Sequence, residues 1–145
     1  MPTDTHVEER PVALLDTSAA IALVVEDHEA HAATFAALNG RRLGLAGHAW
    51  FETYSFLTWL PAGLRRSPAD AIRLLTRNFP VSGFLGEAES AGLGGELAGL
   101  GISGGAVYDA LVGAAARQHE RLLVSSDARA RAVYDALGVR IELIP

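Results

Sequence analysis

Val12-Ala13-Leu14-Leu15-Asp16-Thr17-Ser18-Ala19-Ala20 decides the fold class. Four consecutive apolar residues ending in an acid suit a short strand buried on both faces. Thr17 and Ser18 then read as a helix N-cap, and the apolar stretch 19–25 as the helix they start. Working outward from this strand-to-helix unit, residues 29–38 read as a helix closed by Asn39-Gly40, and 43–46 as a second strand. Residues 48–60 form an aromatic-rich helix stopped at Pro61. Ser67, Pro68 and Asp70 supply a cap, a first-turn proline and a first-turn acid for a helix over 68–78. A third strand is read over 81–85, weakened by Gly83, and a helix over 87–100, weakened by Gly92, Gly94, Gly95 and Gly99. A helix over 103–119, a strand over 122–124, a helix over 128–137 ended by Gly138, and a strand over 139–144 complete the chain. Strands alternating with helices predict an α/β domain with a mostly parallel central sheet covered on both faces. One such domain is expected over 11–145, behind a disordered lead-in over 1–10.

The chain has 145 residues, half of them apolar, enough for a core without covalent staples. It contains no cysteine, which excludes disulfide scaffolds, thiolate metal sites and thiol nucleophiles. All 12 cationic side chains are Arg, so chemistry that needs a lysine amine is excluded too. A formal net charge of -5 argues against gripping nucleic acid by bulk electrostatics, unless a bound cation reverses the field locally. No apolar run approaches the roughly 18 residues of a membrane span, and the polar start MPTDTHVEER is unlike a signal peptide. The expectation is a cytoplasmic protein.

Ligands of parallel sheets bind beyond the carboxyl ends of the strands. Asp16 ends the first strand, and Asp127 follows the strand at 122–124. Either acid alone reads equally well as a helix cap. Glu52 and Asp109 resist that reading. Asp109 has Gly105, Ala106, Val112 and Gly113 as helical neighbours, and Glu52 has Ala49, Ser55 and Phe56. Acids on such faces are paired with Arg, protonated, or metal ligands. Neither helix offers an Arg at contact spacing, so the metal reading leads. Four acids would make an oxygen-ligand site suited to Mg²⁺ or Mn²⁺, able to activate water against a phosphodiester.

The set Leu14-Leu15-Asp16-Thr17-Ser18-Ala19, Trp50-Phe51-Glu52-Thr53-Tyr54, Tyr108-Asp109-Ala110-Leu111-Val112-Gly113 and Leu123-Val124-Ser125-Ser126-Asp127 resembles the four acidic motifs of PIN-domain ribonucleases. It is most similar to the VapC-type toxins of bacterial toxin-antitoxin pairs. The resemblance implies a three-layer α/β/α fold, Mg²⁺- or Mn²⁺-dependent endonucleolytic cleavage of RNA, a homodimer, and inhibition by a small VapB-like antitoxin that inserts into the site. By position it makes Asp16, Glu52, Asp109 and Asp127 the metal-binding, catalytic acids, with Ser18 and Ser125 as supporting hydroxyls. Some relatives carry a further acid two residues after the fourth. Here that position is Arg129, which is expected to contact an RNA phosphate. Two rival readings are a non-catalytic PIN-like module that binds RNA or protein, and a DNA-directed nuclease.

Other signals carry less. Gly101-Ile102-Ser103-Gly104-Gly105 fits the G-x-S-x-G elbow but lacks the strand it requires, so Ser103 is expected to cap the helix bearing Asp109. His28, His31, His48 and His119 read as structural rather than zinc ligands. Arg66, Arg73 and Arg77 form a helical stripe that fits a solvated face better than an RNA track. Trp50, Phe51, Tyr54, Phe56 and Trp59 are expected to divide between the core and a dimer or antitoxin surface.

Overall fold

A computed structural model describes residues 11–145; the expected lead-in over 1–10 lies outside the described residues. The elements in chain order are β1 (Val12–Leu15), α1 (Thr17–Val24), α2 (His31–Leu38), β2 (Arg42–Leu45), α3 (His48–Trp59) and α4 (Pro68–Asn78). They continue with α5 (Glu87–Leu100), α6 (Ala106–Gln118), β3 (Leu122–Ser125), α7 (Arg131–Ala136) and β4 (Ile141–Leu143).

The strands pair in the order β2-β1-β3-β4, all parallel. β1 is central and wholly buried, as its unbroken apolar run requires. Val12 and Leu14 face one core, with Leu93 of α5, Ala110 to Ala116 of α6, and Tyr134 of α7. Ala13 and Leu15 face the other, with Ala19 and Val24 of α1, Leu57 of α3, and Leu75 of α4. The result is the three-layer α/β/α architecture. Leu15 pairs with Val124, and the Asp16 N–H donates to the Val124 carbonyl at 3.0 Å, so the carboxyl ends of β1 and β3 meet.

Three local expectations are corrected. Residues 81–85 form no strand. They follow the edge of β2 through an isolated bridge between Ala46 and Gly83 and a further bond from the Val81 N–H to the Leu43 carbonyl. The Leu45 N–H donates to the Ser82 hydroxyl at 2.9 Å, so a side chain takes a donor that a ladder would have paired to backbone. Ser103 does not cap α6. That helix begins at Ala106 with Gly105 in the capping position and no side-chain bond, because Gly104 turns the chain at φ 59°. Residues 101–105 follow helix α5 rather than a strand, which removes the nucleophile-elbow reading. α1 is capped by Asp16, not by Thr17 and Ser18: the Asp16 carboxylate accepts the Ala19 N–H.

α5 forms over 14 residues in spite of its four glycines. Tertiary contacts override propensity there. Leu93 is buried, and the Arg117 guanidinium clasps both oxygens of Glu96 at 2.6 and 2.8 Å while donating to the Leu137 carbonyl. A methyl on Gly94 would meet no atom within 4 Å. Gly94→Ala is therefore expected to stabilise the fold by about 0.5–1 kcal/mol, measured by chemical denaturation. A loss of stability would show that this helix face is covered.

Candidate active site

The four acids reach one place from four elements. Asp16 follows β1, Asp127 follows β3, Glu52 projects from α3 and Asp109 from α6. Together with Thr17, Ser18, Val112 and Tyr134 they line a cleft of about 170 Å³. Asp16 is buried, whereas Glu52, Asp109 and Asp127 are half-buried.

Each carboxylate has its own support. Asp16 Oδ1 accepts the Ser18 hydroxyl at 2.6 Å and the Ala19 N–H at 3.1 Å, and its Oδ2 accepts the Tyr134 phenol at 3.0 Å. The Ser18 oxygen also accepts the Ser126 N–H at 3.0 Å, tying the end of β3 to the start of α1. Thr17 Oγ1 donates to Glu52 Oε1 at 3.1 Å. Buried Ser125 accepts the Asp127 N–H at 3.0 Å, fixing the turn that presents the fourth acid. Of the supporting residues, Ser18 and Ser125 are the two hydroxyls singled out in the sequence.

Thr17 and Tyr134 are the supporting residues that sequence reasoning missed. Thr17 stands beside Asp16, but its hydroxyl reads locally as a cap. Tyr134 lies 118 positions from Asp16, and no spacing links them.

The electrostatics are one-sided. Burial pushes the Asp109 carboxyl above its ordinary value, and the charges of Asp127, Asp16 and Glu52 push in the same direction. Arg129 opposes them, but its side chain is 96% exposed and its Nε stands 3.7 Å from Asp127 Oδ1. An exposed pair of that kind offsets little. Burial likewise drives the Tyr134 phenol far up, so it acts as a hydrogen-bond donor.

The donors lining this cleft are carboxylate and hydroxyl oxygens, with no thiolate and no imidazole. That set suits a hard divalent cation. Among the described residues no three His, Asp or Glu side chains stand close enough to clasp an ion together as they are. The four carboxylates are like charges, and burial followed by the charges of Asp127, Asp16 and Glu52 holds the Asp109 carboxyl above its ordinary value.

The other candidate groups lie elsewhere. His28 accepts the Ala30 N–H, His31 and His119 bond the Ala22 and Phe84 carbonyls, and His48 stacks on Tyr108 at 5.4 Å. Arg66, Arg73 and Arg77 line a separate open hollow with Asp70, which pairs with Arg73. The aromatic residues divide. Trp50 and Tyr54 pack on the core beside Leu57, while Phe51 and Trp59 are 56% and 82% exposed. Phe51, Phe56 and Trp59 line a larger groove of about 520 Å³ that shares Thr17 and Glu52 with the acid cleft.

Acids from two strand ends and two helices of an α/β/α sandwich define a class, and comparison with known proteins agrees with it. The PIN domain family profile matches residues 13–136, and the chain belongs to that family. More particularly, it is 47% identical over 132 residues to Ribonuclease VapC27 of Mycobacterium tuberculosis (strain ATCC 25618 / H37Rv), covering 91% of this chain and 96% of the relative. It is 39% identical over 131 residues to Ribonuclease VapC40 of Mycobacterium tuberculosis (strain CDC 1551 / Oshkosh), covering 89% and 96%.

Proposed function

We propose that this chain is a metal-dependent endoribonuclease, the toxin of a type II toxin-antitoxin pair, with a single PIN domain over 11–145. The observation that carries the reading is the meeting of four acids in one cleft, opposed by the exposed Arg129 beside Asp127. Two relatives named VapC ribonucleases, matched over nearly their whole length, support it.

Asp16, Glu52, Asp109 and Asp127 would hold Mg²⁺ or Mn²⁺. When bound, such an ion supplies the positive charge that phosphate requires and lowers the pKa of water. The chain's own residues do the positioning. Ser18, Ala19 and Tyr134 fix both oxygens of Asp16, Thr17 steers Glu52, and Ser125 sets the turn before Asp127. Water is the nucleophile. As its oxygen bonds to phosphorus the bond to the leaving ribose oxygen breaks, the proton that the water gives up ends on that oxygen, and no covalent enzyme intermediate forms. The hydroxyls that line the cleft all donate to its carboxylates, Ser18 and Tyr134 to Asp16 and Thr17 to Glu52.

Arg129 at the rim would meet an RNA phosphate. A VapB-like antitoxin would inhibit by inserting into the cleft, and the toxin would act as a homodimer in the cytoplasm. Among the described residues no helix is long and apolar enough to cross a membrane.

The test is cleavage of labelled RNA with Mn²⁺, in parallel with single-stranded DNA of the same sequence. RNA is expected to be cut only while Mn²⁺ or Mg²⁺ is present. Cleavage persisting in excess chelator contradicts the metal mechanism, preferential cutting of DNA assigns a different substrate, and binding without cutting supports a non-catalytic module.

A further inference from the structure

We propose that Tyr134 is a positioning residue for the candidate metal centre, and that Gly113 is the notch in α6 that seats it; this rests on reading the four-acid cleft as a cation site. Tyr134 is 1% exposed, and its phenol reaches Asp16 Oδ2 from α7 while Ser18 and Ala19 hold Oδ1 from the first turn of α1. With donors from α1 on one oxygen and from α7 on the other, the Asp16 carboxylate is restrained at both ends. Outer partners of this kind set how a ligand is presented to a metal, and losing one typically weakens binding or activity about 10–100-fold.

The seat is specific. A Cβ at Gly113 would lie 2.9 Å from Tyr134 Cδ1, 3.3 Å from Val139 Cγ2 and 3.4 Å from Leu137 Cδ1. Glycine inside a helix is unfavourable in itself, so the gap is explained by the ring that fills it. Gly113 sits one helical turn beyond Asp109, so α6 carries both an acid of the cleft and the notch for the tyrosine that fixes another. Tyr134 belongs to the core that packs α6 and α7 together and itself lines the cleft, and Gly113 is buried in α6.

The experiment titrates the parent chain, Tyr134→Phe and Gly113→Ala with Mn²⁺ alone, read by thermal shift, and then by RNA cleavage across the same concentrations. In Tyr134→Phe the Mn²⁺ midpoint is expected to rise at least about tenfold, while cleavage at saturating Mn²⁺ largely recovers. Gly113→Ala, which keeps the phenol but displaces its ring, is expected to shift the midpoint the same way. Should Tyr134→Phe fail to fold, Gly113→Ala decides by that midpoint. A variant that melts lower in chelator with an unchanged or tighter midpoint overturns the proposal, since the tyrosine then only fills the core. A parent that is stabilised by Mn²⁺ but cuts no RNA removes the nuclease reading and leaves the proposal standing. A parent with no Mn²⁺ response removes both.

Discussion

Asp109→Asn is expected to abolish cleavage and the Mn²⁺ response while raising the melting temperature of the metal-free protein. Burial is the largest cause of the raised Asp109 pKa, followed by the charges of Asp127, Asp16 and Glu52. The folded state therefore binds this proton more tightly than the unfolded chain does. The stability contributed is present below the ordinary carboxylate range and is lost as pH rises through the raised folded value. At neutral pH an ionised Asp109 opposes folding, and an amide of the same shape removes that opposition. Melting should rise by about 2–4 °C for each kcal/mol of repulsion relieved in a chain of this size. The decline of metal-free stability between acid and neutral pH should become shallower. Activity should fall by more than the roughly 100-fold attributable to losing an outer partner alone. Melting scans across pH, with chelator and with Mn²⁺, check both halves. A metal-free variant less stable than the parent would make Asp109 a structural partner.

Gly44→Ala is expected to be the most destabilising single-methyl addition at a strand. Gly44 lies within β2, where the segment after α4 runs along the strand and brings its backbone against it. An added Cβ would overlap the Val81 carbonyl and stand 2.6 Å from the Ser82 nitrogen. These are backbone atoms and cannot rotate away. The segment must lift, which strains the bonds from Val81 N–H to the Leu43 carbonyl and from Gly83 N–H to the Leu45 carbonyl. Overpacking of this kind costs about 3 kcal/mol, or roughly 10 °C in melting temperature. No residue of β2 or of the segment over 81–85 lines the acid cleft, so the Mn²⁺ midpoint of the folded variant should not change. Chemical denaturation showing a loss below about 1 kcal/mol would mean that the segment yields easily.

Much of this fold is legible because it depends on local chemistry. An apolar run ending in an acid, and a serine before a proline, fix β1 and α4 from neighbouring residues alone. The four acids are legible because two lie at strand ends and two stand on otherwise apolar helix faces. What was not legible depends on distant partners. Ser82 replaces a ladder bond through a side chain, and the Arg117 clamp on Glu96 holds a glycine-rich helix that propensity disfavours. Asp16 caps α1 and lines the cleft at once, so capping does not exclude a place in the cleft. The Tyr134 contact spans the chain, and only the folded sheet brings it to Asp16.

Diffraction from crystals grown with Mn²⁺, collected at a wavelength where manganese scatters anomalously, would locate a cation held by the four acids. An anomalous peak is expected between Asp16, Glu52, Asp109 and Asp127, with their oxygens turned toward it. Carboxylates that point to separate places, or that close around Arg129 with no peak among them at saturating Mn²⁺, would contradict that expectation.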